Sequence, residues 1–198
     1  MTILGGESSP SSGAEHVISH FWDWQAHIDG RQHNLHGYQV GIATLISHAV
    51  YELVLKIPVN DLDNLFRSPR RRALELMLEE IDARFGVNGY EFKQVAIRKY
   101  LTVKNYREYF INIAQRWDEI RTEVSRYITP VSHIHSAYQE AGMDISLGAI
   151  SRSKEDAVDA LLFGSRYRMR YTVLDLAWDL GIFPKAIDEV LVRAGVLD

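Results

Sequence analysis

Five of the eight histidines in this chain lie between Ser11 and Gly41, which makes that stretch the first place to look for chemistry. His16 and His20 are four residues apart, a spacing that places two side chains on one face of a helix, about 6 Å apart. His36 follows a polar loop and precedes a glycine and an apolar segment. Imidazole is a good ligand for divalent zinc, iron and nickel, so a metal site between two helices is one interpretation. Three polar histidines without a shared function fit the same spacing.

Several common metal and nucleotide motifs are missing from the sequence. It contains no HExxH of the zinc proteases, no ExxH pair of the di-iron bundles and no adjacent His-Asp pair of the metal phosphohydrolases. It also lacks GxGxxG and GxxxxGK, so no nucleotide site of the usual type is predicted. Cysteine is absent, and any metal must therefore be held by imidazole and carboxylate groups.

Two groups of arginines offer places for an anion. Arg166, Arg168 and Arg170 alternate before a predicted helix, and guanidinium groups bind phosphate in a bidentate manner. Arg168 and Arg170 are therefore candidate contacts to a substrate phosphate. The stretch Ser68–Arg72 places three arginines at a helix start, where cations oppose the helix dipole. Solvent-exposed charge is the simpler interpretation of both groups.

Composition limits the class of protein. The chain has 198 residues, of which 46% are hydrophobic and 24% charged, as in a single globular domain. A net charge of -4 argues against nucleic acid as the main partner, because phosphate binding needs a basic surface. No stretch approaches the roughly 18 apolar residues of a membrane span, and the first residues do not have the pattern of a signal peptide. We therefore expect a cytoplasmic protein without a membrane span.

The periodicity of apolar residues predicts an all-α, multi-helix fold with no convincing strand. Ser153 with Asp156 has the form of a capping box, and Pro184 and Gly195 bound the last predicted helix. The segment before residue 14 is rich in glycine and serine and is predicted to be irregular. The predicted helices cover 14–26, 38–56, 70–86, 90–100, 106–127, 131–141, 154–163, 173–180 and 184–194, with a short turn or helix at 62–66.

Two motifs together resemble a known superfamily. SGAEHVISH at 12–20, followed by HGYQVG at 36–41, is similar to the metal-binding half of the iron-containing alcohol dehydrogenases and dehydroquinate synthases. The glycerol-1-phosphate dehydrogenase branch, which typically reads SGxEHxxSH and then HGxQVG, is the most similar. RYTVLDL at 170–176, followed by DLG at 179–181, resembles the C-terminal end of that branch. The resemblance runs from about Ser8 to the C-terminus.

The resemblance implies which residues would carry chemistry. In this superfamily a nucleotide-binding α/β domain precedes an all-helical domain, and the metal and substrate lie in the cleft between them. His16 and His36 match two of the metal ligands, while the third is an acidic residue of the first domain. His20 would lie near the substrate or nicotinamide as the catalytic residue. Tyr38 stands where the branch usually has glutamate, a departure that removes an expected support of the ligands.

The chain resembles the helical half alone. By this resemblance, we expect residues 1–13 to correspond to the passage between domains and residues 14–198 to the helical metal-binding domain, with the N-terminal nucleotide-binding domain absent. The implied cofactors are a divalent metal, zinc before iron or nickel, and NAD(P) through the missing domain.

Three functions follow as hypotheses. The first is the metal-binding part of an NAD(P)-dependent polyol-phosphate dehydrogenase, active only with a nucleotide-binding partner chain or left as a truncated product. The second is a non-catalytic helical module that serves in protein association or metal binding, including assembly with copies of itself. The third, a dehydroquinate synthase-like part, is less favoured because the residues around the histidines follow the dehydrogenase branch.

Overall fold

The computed structural model describes residues 13–58, 74–102 and 106–197. Within these ranges the regular structure is helical throughout, which confirms the predicted all-α class. Short 3-10 helices at Gly86–Gly89, Gly148–Ile150 and Gly164–Arg166 connect some of the α-helices. The α-helices are α1 (Ala14–Ile28), α2 (His36–Leu55), α3 (Leu74–Phe85), α4 (Tyr90–Thr102), α5 (Tyr106–Gln115), α6 (Trp117–Ser125), α7 (Val131–Glu140), α8 (Lys154–Phe163), α9 (Val173–Asp179) and α10 (Ile187–Ala194).

Helix α2 forms the centre of the fold. It is apolar on most of its surface and packs against α1, α7, α9 and α10, as expected for a helix without a strongly polar face. Ile42, Leu45, Ile46 and Val50 are fully buried in it. Among the described helices, α2 is the one long and apolar enough to cross a membrane by length and composition. Half of its apolar stretch is buried inside the protein, which is the behaviour of a core helix.

Helix α1 is amphipathic and presents two different faces. Phe21 and Trp22 on the apolar face are fully buried, and the Trp22 indole N–H donates to the carbonyl of Asp156, 3.2 Å away. Neighbouring Trp24 packs edge-on against Phe92 of α4, with ring centroids 4.5 Å apart, an arrangement that aromatic rings prefer. The apolar face thus fixes α1 in the core and turns its other face outward.

Ion pairs join α8 to the loop between α1 and α2 and to α3. Asp156 accepts from both terminal nitrogens of Arg31, at 2.8 and 2.9 Å, and belongs to the predicted capping box with Ser153, which is confirmed. Asp159 is buried and accepts from Arg84 at 2.6 Å and from Gln25 at 3.3 Å. These contacts satisfy buried carboxylates that would otherwise be costly to desolvate.

Several helix boundaries differ from the predictions by one residue or more. The predicted helix at 106–127 is interrupted at Arg116, whose φ of -106° and ψ of 10° leave the helical region. The interruption lets the buried Trp117 donate to the carbonyl of Ile57 at 2.9 Å. The last helix begins at Ile187, not at Pro184, because residues 184–186 form a turn. Helix α2 begins at His36, two residues before the predicted start at residue 38.

The end of the last helix agrees with the prediction, since Gly195 caps α10 with a φ of 66°, a value that glycine adopts readily. The short element predicted at 62–66 and the arginine-rich stretch Ser68–Arg72 lie outside the described residues, as do residues 1–12.

Candidate metal centre

The outward face of α1 and the first turn of α2 meet at one place. The loop at residues 29–35 returns along α1, so that α2 begins beside the first half of that helix. Arg31 holds this loop through its ion pair with Asp156, and the side-chain amide of Asn34 donates to the carbonyl of Ile150 at 2.6 Å. Two contacts with distant parts of the chain therefore decide where His36 lies.

The structure brings together the three histidines singled out in the sequence. The ring centroids of His16 and His20 are 6.3 Å apart, those of His16 and His36 are 5.5 Å apart, and those of His20 and His36 are 5.2 Å apart. All three side chains are partly open to solvent, with exposed fractions of 28%, 37% and 49% for His16, His20 and His36. We refer to these three residues as the histidine cluster.

Asp23 is the site residue that sequence reasoning did not select. Its Oδ2 lies 3.8 Å from Nδ1 of His20 and 4.0 Å from Nδ1 of His36. Potential ligand atoms of His20, Asp23 and His36 all lie within 4.8 Å of one another, close enough to hold one metal ion. The signal was present in the spacing, because Asp23 follows His20 by three residues and shares its helix face.

Hydrogen bonds orient the members of the cluster. Glu15 Oε1 lies 2.9 Å from Nδ1 of His16, so this nitrogen donates and Nε2 is left as the lone-pair nitrogen. Ser19 Oγ lies 3.3 Å from Nδ1 of His36. The side-chain amide of Gln39, a buried residue, donates to Oδ1 of Asp23 at 2.7 Å and leaves Oδ2 facing the histidines.

Burial, hydrogen bonds and a nearby charge shift the pKa values of two groups at this site, Glu15 and His20. Burial tends to raise the pKa of Glu15, but hydrogen bonds from His16 and Gly13 outweigh it and hold that pKa below its usual value. The pKa of His20 is lowered, first by partial burial and then by the positive charge of Arg168. A lowered histidine pKa favours the neutral imidazole, which is the form that coordinates metal.

The arginines of the 166–170 stretch divide into different roles. Arg166 is buried, donates to the carbonyl of Leu162 and places its guanidinium 4.9 Å from the ring centroid of Trp178, which is a packing role. Arg168 is exposed, lies over the ring of Tyr167 at 4.5 Å and influences the histidine cluster electrostatically, as noted above. Arg168 is therefore the better placed of the two phosphate candidates.

The main-chain carbonyl of Arg170, the other candidate, accepts from the partly buried Lys99 at 2.6 Å. Tyr38, which departs from the resembled pattern, donates its hydroxyl to the carbonyl of Asp144 at 2.5 Å. Tyr38 therefore connects α2 to the loop that contains Asp144. The neighbouring Gln39, and not Tyr38, supports the site through its hydrogen bond to Asp23.

An open cleft adjoins the cluster on the side of the 29–35 loop. Its volume is about 560 Å³, and His33 on its wall lies 3.6 Å from Oδ1 of Asp23 through Nδ1. The lining residues are Arg31, Gln32, His33, Asn34, Leu35, Ser151 and Arg152. The cleft offers space for a small polar molecule beside the histidine cluster.

Comparison with known proteins finds short local similarities to one kind of enzyme. The chain is 42% identical over 50 residues to a glycerol-1-phosphate dehydrogenase [NAD(P)+] of Halalkalibacterium halodurans, a match covering 25% of this chain and 12% of the relative. It is 36% identical over 61 residues to that of Geobacillus stearothermophilus, covering 31% of this chain and 15% of the relative. It is 38% identical over 52 residues to that of Geobacillus thermodenitrificans, a match covering 26% of this chain and 13% of the relative.

No family model matches the chain, and no solved structure matches it. The matches span roughly an eighth of the length of the curated relatives, so they concern a segment and not a whole enzyme. Over a quarter to a third of its length, this chain is similar to glycerol-1-phosphate dehydrogenases.

Proposed function

We propose that this chain is the metal-binding helical part of an NAD(P)-dependent dehydrogenase that acts on a polyol phosphate, most similar to glycerol-1-phosphate dehydrogenase. The observation that carries the proposal is the convergence of His16, His20 and His36, from two separate motifs, at one partly open site. The local similarity to dehydrogenases of that name supports the same conclusion.

Each residue of the site has a role in this proposal. His16 and His36 hold a divalent ion, zinc before iron or nickel; imidazole is a good ligand for all three, and the chain has no cysteine to offer a thiolate instead. Such an ion, when bound, polarises the alcohol or ketone oxygen of the substrate. His20 lies next to His36 and is the group placed to take up or return the hydroxyl proton.

The phosphate end of the substrate is assigned to arginine. Arg168 is exposed and close enough to influence His20, so a phosphate beside it would remain near the reacting carbon. Arg170 is the second candidate contact. A substrate held by its phosphate has its hydroxyl oriented at the metal site, and such orientation lowers the entropic part of the reaction barrier.

The nucleotide must come from elsewhere in the assembly, since this sequence has no dinucleotide fingerprint. We assign NAD(P) binding to a separate α/β domain or partner chain, which also supplies an acidic ligand, and we place the protein in the cytoplasm. The cleft at residues 31–35 lies beside the histidine cluster, where substrate would meet both halves.

Reconstitution tests this function. The chain loaded with Zn²⁺ is mixed with the nucleotide-binding half of the Geobacillus stearothermophilus relative, glycerol 1-phosphate and NAD⁺ or NADP⁺, and reduced nucleotide is measured. We expect no turnover by the chain alone, turnover by the mixture, and loss of turnover in His36→Ala. His27→Ala changes an exposed histidine of α1 outside the cluster and serves as the matched control. Robust turnover by the chain without a nucleotide-binding half contradicts the proposal.

An association module is the second candidate. Leu35, directly before His36, is 81% exposed, and Leu101 and Met169 are 65% and 47% exposed. Exposed apolar residues of this kind mark surfaces that are covered in an assembly. Metal-dependent dimers in sedimentation experiments, without dehydrogenase activity in the reconstituted mixture, would favour this candidate.

A further inference from the structure

We propose that the cleft beside the 29–35 loop binds a small oxyanion, a phosphate or carboxylate group, through Arg31 and Arg152. This site is separate from the substrate phosphate that we assign to Arg168, which lies on a different segment of the chain. It also does not depend on a metal at the histidine cluster. The oxyanion site and the proposed function can therefore fail independently of each other.

Arg152 is a buried cation without an anionic hydrogen-bond partner. It is 5% exposed, and its side chain makes one hydrogen bond, from Nη2 to the uncharged carbonyl of Trp22 at 2.7 Å. Its Nε and Nη1 are buried and have no partner within the described ranges. Buried charges in proteins are normally paired, because removing an unpaired charge from water is costly. An oxyanion in the cleft would supply the missing partner.

Arg31 offers a further unused donor at the same place. Its Nη1 and Nη2 donate to Asp156 and Asp29, but its Nε is buried and has no partner in the described part of the chain. The pKa of Arg152 is lowered, first by burial and then by the positive charge of Arg31, and the attraction of nearby carboxylates does not outweigh these two effects. The two guanidinium groups therefore repel each other, and an anion bound by both would relieve that repulsion.

The cleft has the lining that an oxyanion requires. Arg31 and Arg152 both contribute to its wall, and none of its lining residues carries a carboxylate. Guanidinium groups bind phosphate and carboxylate oxygens in a bidentate manner. The unused nitrogens lie beneath the wall, and an anion reaches them through side-chain rotations, which are available because Gln32 and His33 on the same wall are exposed. The volume of about 560 Å³ leaves room for the rest of a small molecule.

NMR titration of the metal-free full chain tests this site. Inorganic phosphate and malonate, both doubly charged at pH 7.5, are added at constant ionic strength against potassium chloride, and the arginine Nε–H resonances are followed. We expect the Arg152 resonance, identified by its loss in Arg152→Met, to shift with saturation. Arg152→Met should weaken binding at least about tenfold, because charge-assisted bidentate contacts are lost. Arg126→Met removes an exposed arginine paired with Glu123 and is the matched control, with less than about a twofold effect. The tighter of the two probes identifies the class of oxyanion.

Further variants separate this site from the others. His36→Ala should bind the probe like the parent chain, and a thermal melt of each variant verifies its fold. If neither phosphate nor malonate shifts an arginine resonance of the parent chain, or if Arg126→Met weakens binding as much as Arg152→Met, the oxyanion site is refuted. If binding is lost in Arg168→Gln but kept in Arg152→Met, the anion belongs to the substrate site; the assignment to Arg152 is then wrong and the proposed function stands.

Discussion

Replacing Asp156 tests how much its buried ion pair with Arg31 contributes to the stability of the fold. Its carboxylate is largely buried, accepts two hydrogen bonds from Arg31 and accepts one from the main-chain N–H of Ser153. Asp156→Asn keeps the shape and the acceptor for Ser153 but removes the charge opposite Arg31. Breaking a buried ion pair costs about 3–5 kcal/mol. The lower value applies here, about 3 kcal/mol, because Arg31 is partly exposed and also pairs with Asp29.

For a chain of this size, each kcal/mol lowers the melting temperature by about 2–4 °C, so we expect Asp156→Asn to melt about 6–12 °C lower at neutral pH. Urea unfolding and thermal melts followed by circular dichroism measure both quantities. Asp82→Asn, at an exposed ion pair, should change the free energy of unfolding by less than about 1 kcal/mol. A difference between Asp156→Asn and the parent chain that is no larger than in this control would refute the reasoning.

The same variant gives a pH signature. Burial tends to raise the pKa of Asp156, but hydrogen bonds from Arg31 and Ser153 hold it below its ordinary value. A carboxylate with a lowered folded-state pKa contributes its full stability above the unfolded pKa and loses it as pH falls through the folded one. The stabilities of the parent chain and Asp156→Asn should therefore converge in acid. A constant gap down to the lowest pH at which both fold would show that charge is not the cause.

Three further predictions concern other charged residues. Arg152→Met should lower the free energy of unfolding by less than about 1 kcal/mol, as measured by chemical denaturation. Arg152 makes one hydrogen bond, to the carbonyl of Trp22, and its Nε and Nη1 have no partner among the described residues. Lys99→Met should lower the free energy of unfolding by about 3 kcal/mol, because it removes the cation opposite the largely buried carboxylate of Asp175. Adding Asp175→Asn should recover part of this loss, and a double variant whose losses simply add contradicts the prediction. Arg168→Gln should raise the pKa of His20, because it removes a positive charge that lowers that pKa. NMR titration of the imidazole measures the change, and an unchanged pKa would mean that Arg168 lies away from the histidine cluster.

The helical class was predictable because it depends on local periodicity. Apolar residues at helical spacing place α1 and α2 correctly, and the capping box of Ser153 with Asp156 is a local pattern that the structure confirms. The break at Arg116 was not predictable in this way, because it depends on the burial of Trp117 against Ile57, 60 residues away.

The site was predictable in part for the same reason. His16 and His20 share a helix face through their spacing alone, but the position of His36 depends on the ion pair of Arg31 with Asp156, which are 125 residues apart. The role of Asp23 depends on the packing of α1 against α2, which brings Gln39 and His36 to it. A carboxylate becomes a candidate ligand only when such contacts aim it, and no single-sequence pattern contains that information.

Metal analysis of the purified chain tests the central claim most directly. After equilibration with Zn²⁺ and removal of the free ion, elemental analysis should find equimolar zinc in the parent chain and in His27→Ala, whose histidine lies outside the cluster. His36 is one of the proposed metal ligands, so His36→Ala should retain almost no zinc while keeping its helical circular dichroism. Equal zinc in His36→Ala and the parent chain, or no zinc in either, would contradict a metal centre at the histidine cluster.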